Sequence, residues 1–317
     1  MNAAPVHQVA GLIVTVMLLL SLADTATGAS RDHAARAHRL AAGQPAQVKT
    51  PAIAKRKTTR LPLSPEGILL KDLRTGDILF EHNANLTMAP ASLTKIMSAI
   101  VILEDGNLDD QVTVSRKAAA AKKIKLSLKP GQALPLRGLL EAMLIRSAND
   151  ACLAAAEHVS GNEGSFVAKM NAKAAAIGLT HTHFQNACGF DMPGHLSTAD
   201  DLARLTEYAM GHETFAAIVQ EPSSVIQTTD QRKQYVARTT NRLMGTIEGV
   251  VGVKTGYTRG AGRCLIAVVR RDDRELLLVM LNARRRWGRA HELIDYGLSA
   301  AAQSVSTAAP EAVTTSQ

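Results

Sequence analysis

The sequence predicts an α+β fold in which an antiparallel sheet is assembled from both ends of the chain, with flanking helices and an inserted helical subdomain. Three observations predict it. Early in the chain, two apolar runs flank Arg74-Thr75-Gly76, as in a hairpin of two strands. Helical periodicity dominates the middle of the chain. Continuous apolar runs typical of buried strands then return at 249–257, 263–270 and 275–281.

In chain order, the hairpin strands are predicted at 67–73 and 77–81, and a buried apolar helix follows from Ser92. Short strands are expected at 112–114 and 125–128. Helical periodicity covers 136–160, with a break at 146–150. The remaining predictions are helices at 163–177, 198–210 and 213–219, a loop at 184–197 and a last helix at 287–301.

The positive charge of the chain is concentrated in one segment. The formal net charge is +8, but residues 31–60 carry a net +7 and residues 61–317 only +2. The folded part is nearly neutral, so binding to nucleic acid is not expected. Residues 30–60 are basic, Ala- and Pro-rich and free of aromatic residues, which predicts a disordered linker. The alternative for this linker is electrostatic contact with an anionic envelope polymer or membrane surface.

An apolar run from Val9 to Leu22 precedes the linker and is followed by small residues up to Ala29. As a helix this run reaches about 21 Å, less than the ~30 Å of a bilayer core. Residues 1–29 are therefore predicted to be a cleaved export signal, with a membrane anchor as the alternative, although no Lys or Arg precedes the run. Residues 61–302 are expected to form one domain in the periplasm or cell envelope, and residues 303–317 a disordered tail.

Cysteine and histidine give no sign of a metal site or a disulfide framework. The chain has three cysteines, Cys152, Cys188 and Cys264. Their spacing is typical of neither, so free buried thiols are expected. His181 and His183 lack an acidic or Cys partner at a ligand spacing, and the helix that contains His291 lacks a second His. No metal is expected.

A candidate nucleophile and a candidate base lie at the start of the first predicted helix. Ser92 and Lys95 are three residues apart and share one helix face. A serine hydroxyl needs an adjacent base, and a lysine acts as a base only when its pKa is lowered. Backbone N–H groups at a helix N-terminus can stabilise an oxyanion. The pair alone is a weak signal, because Ser-x-x-Lys is common by composition.

The stretch Ser147-Ala148-Asn149 lies between two helical segments, 55 residues after the first serine. Ser147 can pass a proton between the lysines and a departing amine. Asn149 can bind a substrate peptide group or steady Lys95. The alternative for both residues is helix capping.

The stretch Lys254-Thr255-Gly256 ends an apolar strand, 107 residues after Ser147. Lys254 can lower the pKa of Lys95 and attract a substrate carboxylate, to which Thr255 offers a hydroxyl. Gly256 is expected to leave space for a peptide to lie along the strand. The alternative for Lys254 is an exposed strand residue.

With these three motifs in this order, the sequence resembles the serine D-alanyl-D-alanine carboxypeptidases, low-molecular-mass penicillin-binding proteins related to the class A β-lactamases. The resemblance covers roughly residues 61–298 and implies the β-lactamase/transpeptidase-like fold. It implies an acyl-enzyme on Ser92, an oxyanion hole made by the N–H groups of Ser92 and Tyr257, and no cofactor.

Two further features follow from the resemblance. Class A β-lactamases use a glutamate to activate the deacylating water, and residues 186–195 contain none, so penicillins are expected to inhibit rather than be destroyed. The family also has an arginine about 35 residues beyond the strand lysine that binds the terminal carboxylate of the substrate, and Arg289 matches this offset. The alternative for Arg289 is a solvated position at a helix start.

The resemblance therefore implies a penicillin-sensitive D,D-carboxypeptidase that removes the terminal D-alanine from peptidoglycan stem peptides, with β-lactam antibiotics as covalent inhibitors. Two alternatives stay open. One is a D,D-endopeptidase that cleaves peptidoglycan cross-links, and the other is a penicilloyl-binding sensor or scaffold with little turnover. Arg289 favours the carboxypeptidase.

Overall fold

An antiparallel sheet of five strands lies at the centre of the structure, a computed structural model that describes residues 65–306. The strands are β1 (Gly67–Asp72), β2 (Ile78–His82), β3 (Gln111–Thr113), β4 (Ala133–Pro135), β5 (Ser223–Gln227), β6 (Gln234–Arg238), β7 (Val250–Thr258), β8 (Gly262–Arg271) and β9 (Arg274–Leu281). The central sheet has the order β2-β1-β9-β8-β7, and two separate two-stranded sheets are formed by β3 with β4 and by β5 with β6. The prediction of a sheet built from both chain ends is confirmed.

Most helices lie in the segment between the two halves of the sheet. They are α1 (Lys95–Asp105), α2 (Arg116–Ala119), α3 (Leu136–Glu141), α4 (Asn149–Ser160), α5 (Glu163–Ala176), α6 (Ala199–Met210), α7 (Glu213–Gln220) and α8 (Arg286–Ser306). Residues 95–102 of helix α1 are buried, and the helix packs against α4, α5 and α6. It therefore forms the centre of the helical layer.

Strands β8 and β9 are apolar on both faces because each face packs against a different layer. In β9, Leu277, Val279 and Leu281 belong to the larger core, shared with the inserted helices. The alternate residues of β9 face a smaller core, which also contains Leu293 and Ile294 of helix α8. The period of two along a strand explains this division.

The predicted strand at 125–128 is wrong, and β5 and β6 were not predicted. The backbone N–H groups of Leu126 and Leu128 donate to the Asp150 carboxylate, each at 3.0 Å. A side chain thus takes the place of a partner strand, and the partner of β3 is instead β4. Burial alternates along β5 and β6, but their sequences, Ser-Ser-Val-Ile-Gln and Gln-Tyr-Val-Ala-Arg, do not alternate polar and apolar residues, so the pattern that predicts a strand is missing.

The prediction of three free thiols is wrong for two of them. Cys152 on α4 and Cys188 in the loop before α6 form a disulfide, with their Cα atoms 6.1 Å apart. Cys264 is free and buried. The pair is separated by 36 residues, and only the fold brings the two sulfur atoms together.

Several sequence predictions lie outside the described residues: the signal or anchor at 1–29, the linker at 30–60 and the tail beyond residue 306. The last helix was predicted to end at 301 and extends to Ser306, so the first residues of the predicted tail are helical. Among the helices of residues 65–306, none combines the length and apolar character needed to cross a bilayer.

Candidate active site

Ser92 lies in a short 3₁₀ turn, Ala91–Thr94, that leads directly into helix α1. The α-helix predicted to start at Ser92 starts instead at Lys95. Ala91 has a φ of +50°, in the left-handed region, so the chain bends sharply just before the serine. The turn still places Ser92 and Lys95 on the same side.

Two glycines pack against the backbone of this turn. A Cβ atom on Gly189 would lie 1.9 Å from the carbonyl oxygen of Ala91, so any larger residue would displace the turn. A Cβ atom on Gly256 would lie 3.2 Å from the backbone nitrogen of Ser92, closer than an ordinary contact. The space at Gly256 therefore accommodates the serine turn, while β7, the last strand of the sheet, keeps one edge without a partner strand among the described residues.

The Lys95 side chain is fully buried, and its Nζ atom has three oxygen neighbours. They are Ser92 Oγ at 3.2 Å, Asn149 Oδ1 at 2.8 Å and the carbonyl oxygen of Cys188 at 2.5 Å. The last two oxygens only accept hydrogen bonds. A neutral amine can donate to both and offer its lone pair to the Ser92 hydroxyl, which is the arrangement that proton transfer from the serine requires.

Burial and a neighbouring positive charge both favour the neutral form of the Lys95 amine. Burial, with a smaller contribution from the Lys254 ammonium, lowers the pKa of Lys95 well below its ordinary value. Burial and the Arg286 guanidinium lower the pKa of Lys254 to about 7. A charged Lys254 therefore disfavours protonation of Lys95.

The stretch Ser147–Asn149 lies at the junction of a π-helical turn, Ala142–Arg146, and helix α4. Ser147 has a φ of +65°, which turns its buried side chain toward the cavity that Ser92 lines. The Asn149 amide contacts Lys95 through its oxygen and donates through Nδ2 to the carbonyl of Lys122 at 2.9 Å. The Asn149 side chain is therefore not a helix cap.

Strand β7 forms the opposite wall. Lys254 is buried, not exposed, and its Nζ donates to the carbonyl of Thr255 at 3.1 Å. The Thr255 hydroxyl is hydrogen-bonded to that of Thr240. Tyr257 is 62% exposed and lines the cavity.

Arg289 does not lie at this site. Its guanidinium lies over the ring of Phe80 and near Glu292. Phe80 belongs to β2, at the opposite edge of the sheet from β7. One helical turn earlier, Arg286 donates through Nη1 to the carbonyls of Gly256 at 3.0 Å and Cys264 at 2.9 Å. Of these two arginines, Arg286 and not Arg289 therefore contacts the strand that carries Lys254.

Asn186, which the sequence did not single out, holds the loop whose backbone carbonyl contacts Lys95. The Asn186 side-chain oxygen accepts hydrogen bonds from the backbone N–H groups of Cys188, Gly189 and Phe190, at 2.8–3.2 Å. This turn presents the carbonyl of Cys188 to Lys95. An asparagine shortly before a glycine is a turn signal that points to such a role.

His195 stabilises the serine turn, residues 91–94, through a hydrogen bond with Thr94. Its Nδ1 accepts the backbone N–H of Gln185 at 3.0 Å, so the neutral ring carries its proton on Nε2, 2.8 Å from the Thr94 hydroxyl. Thr94 in turn donates to the carbonyl of Ala91 at 2.8 Å. Burial lowers the pKa of His195 to about 4. A lone histidine in a loop gave no sequence signal of this contact.

Ser92, Ser147, Asn149 and Tyr257 line a cavity of about 420 Å³. It places a serine hydroxyl beside a buried amine, with a second hydroxyl, that of Ser147, on its wall. Such an arrangement performs acyl transfer to a serine, in which the amine takes the serine's proton. Among the described residues, no cluster of three His, Cys, Asp or Glu side chains is arranged to hold a metal ion.

Comparison with known proteins identifies relatives of most of the described region. The model of the D-alanyl-D-alanine carboxypeptidase family matches residues 54–285. The D-alanyl-D-alanine carboxypeptidase DacF of Bacillus subtilis is 32% identical over 252 residues, which cover 77% of this chain. The chain spans 64% of the length of that relative.

Two solved structures have the same fold. A mutant of a Streptomyces DD-transpeptidase is 27% identical, with a TM-score of 0.70, and the match covers 75% of this chain and 98% of that one. A penicillin-binding protein of Listeria monocytogenes, in its ampicillin-bound form, is 28% identical, with a TM-score of 0.65 and the same coverage.

Proposed function

This chain belongs to the D-alanyl-D-alanine carboxypeptidase family, and we propose that it is a penicillin-sensitive serine carboxypeptidase that removes the terminal D-alanine from peptidoglycan stem peptides. The observation that carries the proposal is the buried Lys95 amine, 3.2 Å from Ser92 Oγ and bonded to two carbonyl oxygens. These contacts make the amine a base for the serine.

In the proposed reaction, Ser92 Oγ attacks the carbonyl carbon of the scissile D-Ala-D-Ala bond while Lys95 takes its proton. The backbone N–H groups of Ser92 and Tyr257 stabilise the oxyanion, as in the family. The proton passes through Ser147 to the nitrogen of the departing D-alanine, and the C–N bond breaks. Water then attacks the acyl-enzyme, Lys95 takes a proton from the water, and Ser92 Oγ leaves with a proton as the shortened peptide is released.

Strand β7 binds the substrate in this proposal. Lys254 provides the positive charge for the terminal carboxylate, and Thr255 provides a hydroxyl. Arg286 acts on this wall through its charge, because its hydrogen bonds go to backbone carbonyls of β7 and β8. Arg289 has no role here because it lies at the far edge of the sheet.

We further propose that the enzyme is exported and acts in the cell envelope, with residues 1–29 as a cleaved signal and the basic residues 30–60 in contact with anionic polymers. The Cys152–Cys188 disulfide supports export, since disulfides persist in oxidising compartments. Determination of the N-terminal residue of the protein in an envelope fraction tests this. A start near residue 30 is expected, and an intact N-terminus would favour the anchor.

The proposed chemistry is tested by labelling with a fluorescent penicillin, which should form a long-lived adduct because residues 186–195 contain no glutamate. Wild type and the control Ser299→Ala, an exposed serine on α8, should be labelled, and Ser92→Ala should not. Labelling of Ser92→Ala to the wild-type extent would refute the assignment. Incubation with purified muropeptides then identifies the activity: free D-alanine supports the carboxypeptidase, conversion of dimers to monomers an endopeptidase, and neither product a sensor.

A further inference from the structure

Two cationic side chains line the cavity at Ser92, and nothing in the proposed chemistry uses them. Lys123 and Arg259 are both exposed at its rim. Within residues 65–306, neither has an acidic group within ion-pairing distance, whereas Lys71 and Lys173 form ion pairs with glutamates. The rim therefore carries positive charge that is available to a ligand.

The backbone that carries Lys123 is held in place. Lys123 has a φ of +67°. Asn149 fixes both of its neighbours: the side-chain Nδ2 donates to the carbonyl of Lys122 and the backbone N–H to the carbonyl of Ile124, each at 2.9 Å. The residue that contacts Lys95 therefore also positions Lys123 at the cavity mouth.

The turn that carries Arg259 is held in a similar way. Asp191, an acidic side chain that contacts this turn, accepts hydrogen bonds from the Thr258 hydroxyl and from the backbone N–H of Gly260 at 3.2 Å. Both carboxylate oxygens are thus engaged by groups on either side of Arg259. Asp191 fixes the turn without forming an ion pair with the guanidinium.

Three large apolar or aromatic side chains also line the cavity, and no residue that lines it is acidic. Ile124 is 48% exposed and Tyr257 62% exposed, and both line the cavity together with Phe190. An aliphatic side chain can pack on these surfaces, while a terminal anion reaches the two cations. A substrate with a cationic side chain would be repelled there.

We propose that Lys123 and Arg259 determine substrate specificity, by binding a carboxylate at the end of an aliphatic side chain on the residue that precedes D-Ala-D-Ala. This inference rests on the proposed function, because it assumes that a D-Ala-D-Ala peptide occupies the cavity. It adds a second anion site to the one formed by Lys254 and Thr255. The preferred substrates are therefore stem peptides with an acidic side chain next to the scissile unit.

The test compares two nearly isosteric peptides, acetyl-L-glutamyl-D-alanyl-D-alanine and acetyl-L-glutaminyl-D-alanyl-D-alanine. Wild type is expected to cleave the glutamyl peptide with a kcat/KM about 5–10-fold higher, the size expected of two partly exposed ion pairs. In the double variant Lys123→Met/Arg259→Gln, the ratio should fall to about 1. The control Arg232→Gln, a basic residue in the β5-β6 hairpin, should keep the wild-type ratio.

Protection of Ser92 from penicillin labelling by each peptide gives the same comparison without turnover. If neither peptide is cleaved but the glutamyl peptide protects about 5–10-fold better, the specificity inference stands and the carboxypeptidase proposal fails. Equal protection by the two peptides in wild type, or a preference that persists in the double variant, would overturn the inference. The penicillin labelling rate of each variant shows that its active site is folded.

Discussion

The two walls of the cavity differ in how their polar groups are held. On the helix wall, Lys95 is bonded to Ser92, to Asn149 and to the carbonyl of Cys188, which a disulfide ties to helix α4. On the strand wall, the amine of Lys254 bonds to the carbonyl of the next residue of its own strand. In the proposed reaction, the helix wall sets the geometry of proton transfer, whereas the strand wall acts on it through charge.

The largest expected effect is on the helix wall. Replacing Lys95 by Met keeps an unbranched buried side chain but removes the base. We expect the second-order rate constant of penicillin acylation to fall by roughly 10³-fold, within the range for loss of a general base. Quenched acylation followed by mass spectrometry measures it. A loss of less than tenfold in a folded variant would mean that another group takes the proton.

The disulfide gives the second prediction. The variant Cys152→Ala/Cys188→Ala should lower the free energy of unfolding by about 3–4 kcal/mol, because the unfolded chain loses a cross-link over some 36 residues. Denaturant unfolding measures this, and Cys264→Ala, which removes a buried free thiol, is the matched control. Equal losses in the two variants would show that the cross-link adds no stability beyond packing.

His195 gives the third prediction, which concerns the support of the serine turn. Its pKa is about 4 in the folded protein against an ordinary value of 6.5, so the unfolded chain binds more protons between these values. The free energy of unfolding should therefore decrease by on the order of 3 kcal/mol as the pH falls from 6.5 to 4. In His195→Gln this part of the decrease should be absent. Parallel unfolding curves at several pH values test it, and identical pH dependence in the two proteins would exclude the effect.

The smallest expected effect concerns the strand wall, where the charges of Lys254 and Arg286 influence the pKa of Lys95. Lys254→Ala removes a positive charge, so the pKa of Lys95 should rise and the pH midpoint of acylation should move up. Arg286→Gln should act in the opposite direction: the pKa of Lys254 rises from about 7, more of it is charged at neutral pH, and the midpoint moves down. Midpoints from pH profiles of penicillin acylation measure both shifts. Unchanged midpoints would contradict the coupling of the two lysines.

The sequence predicted what depends on local spacing and on long periodic segments. Ser92 and Lys95 are three residues apart, and that spacing alone brings their side chains together. The apolar runs of β8 and β9 predicted buried strands because both faces of the sheet are covered.

What the sequence did not predict depends on contacts between distant segments. The partner of Cys152 lies 36 residues away, and the backbone carbonyl that accepts from Lys95 belongs to a turn 93 residues further along the chain, which only the fold brings to the lysine. The choice between Arg286 and Arg289 depends on the rotation of helix α8 over the sheet, which spacing in the sequence does not determine. The strand predicted at 125–128 failed because the Asp150 side chain takes its hydrogen bonds.

The position of β1 between β2 and β9 has a consequence for how the chain folds. Gly67 pairs with Leu281, so the first strand of the domain acquires its second neighbour only when the last strand is present. Closing so long a loop costs entropy before any pairing energy is gained, and proteins rich in such long-range contacts fold slowly. Ribosome-bound chains that lack β9 therefore leave one edge of β1 without its native partner, and completion of the sheet must wait until synthesis has passed residue 281.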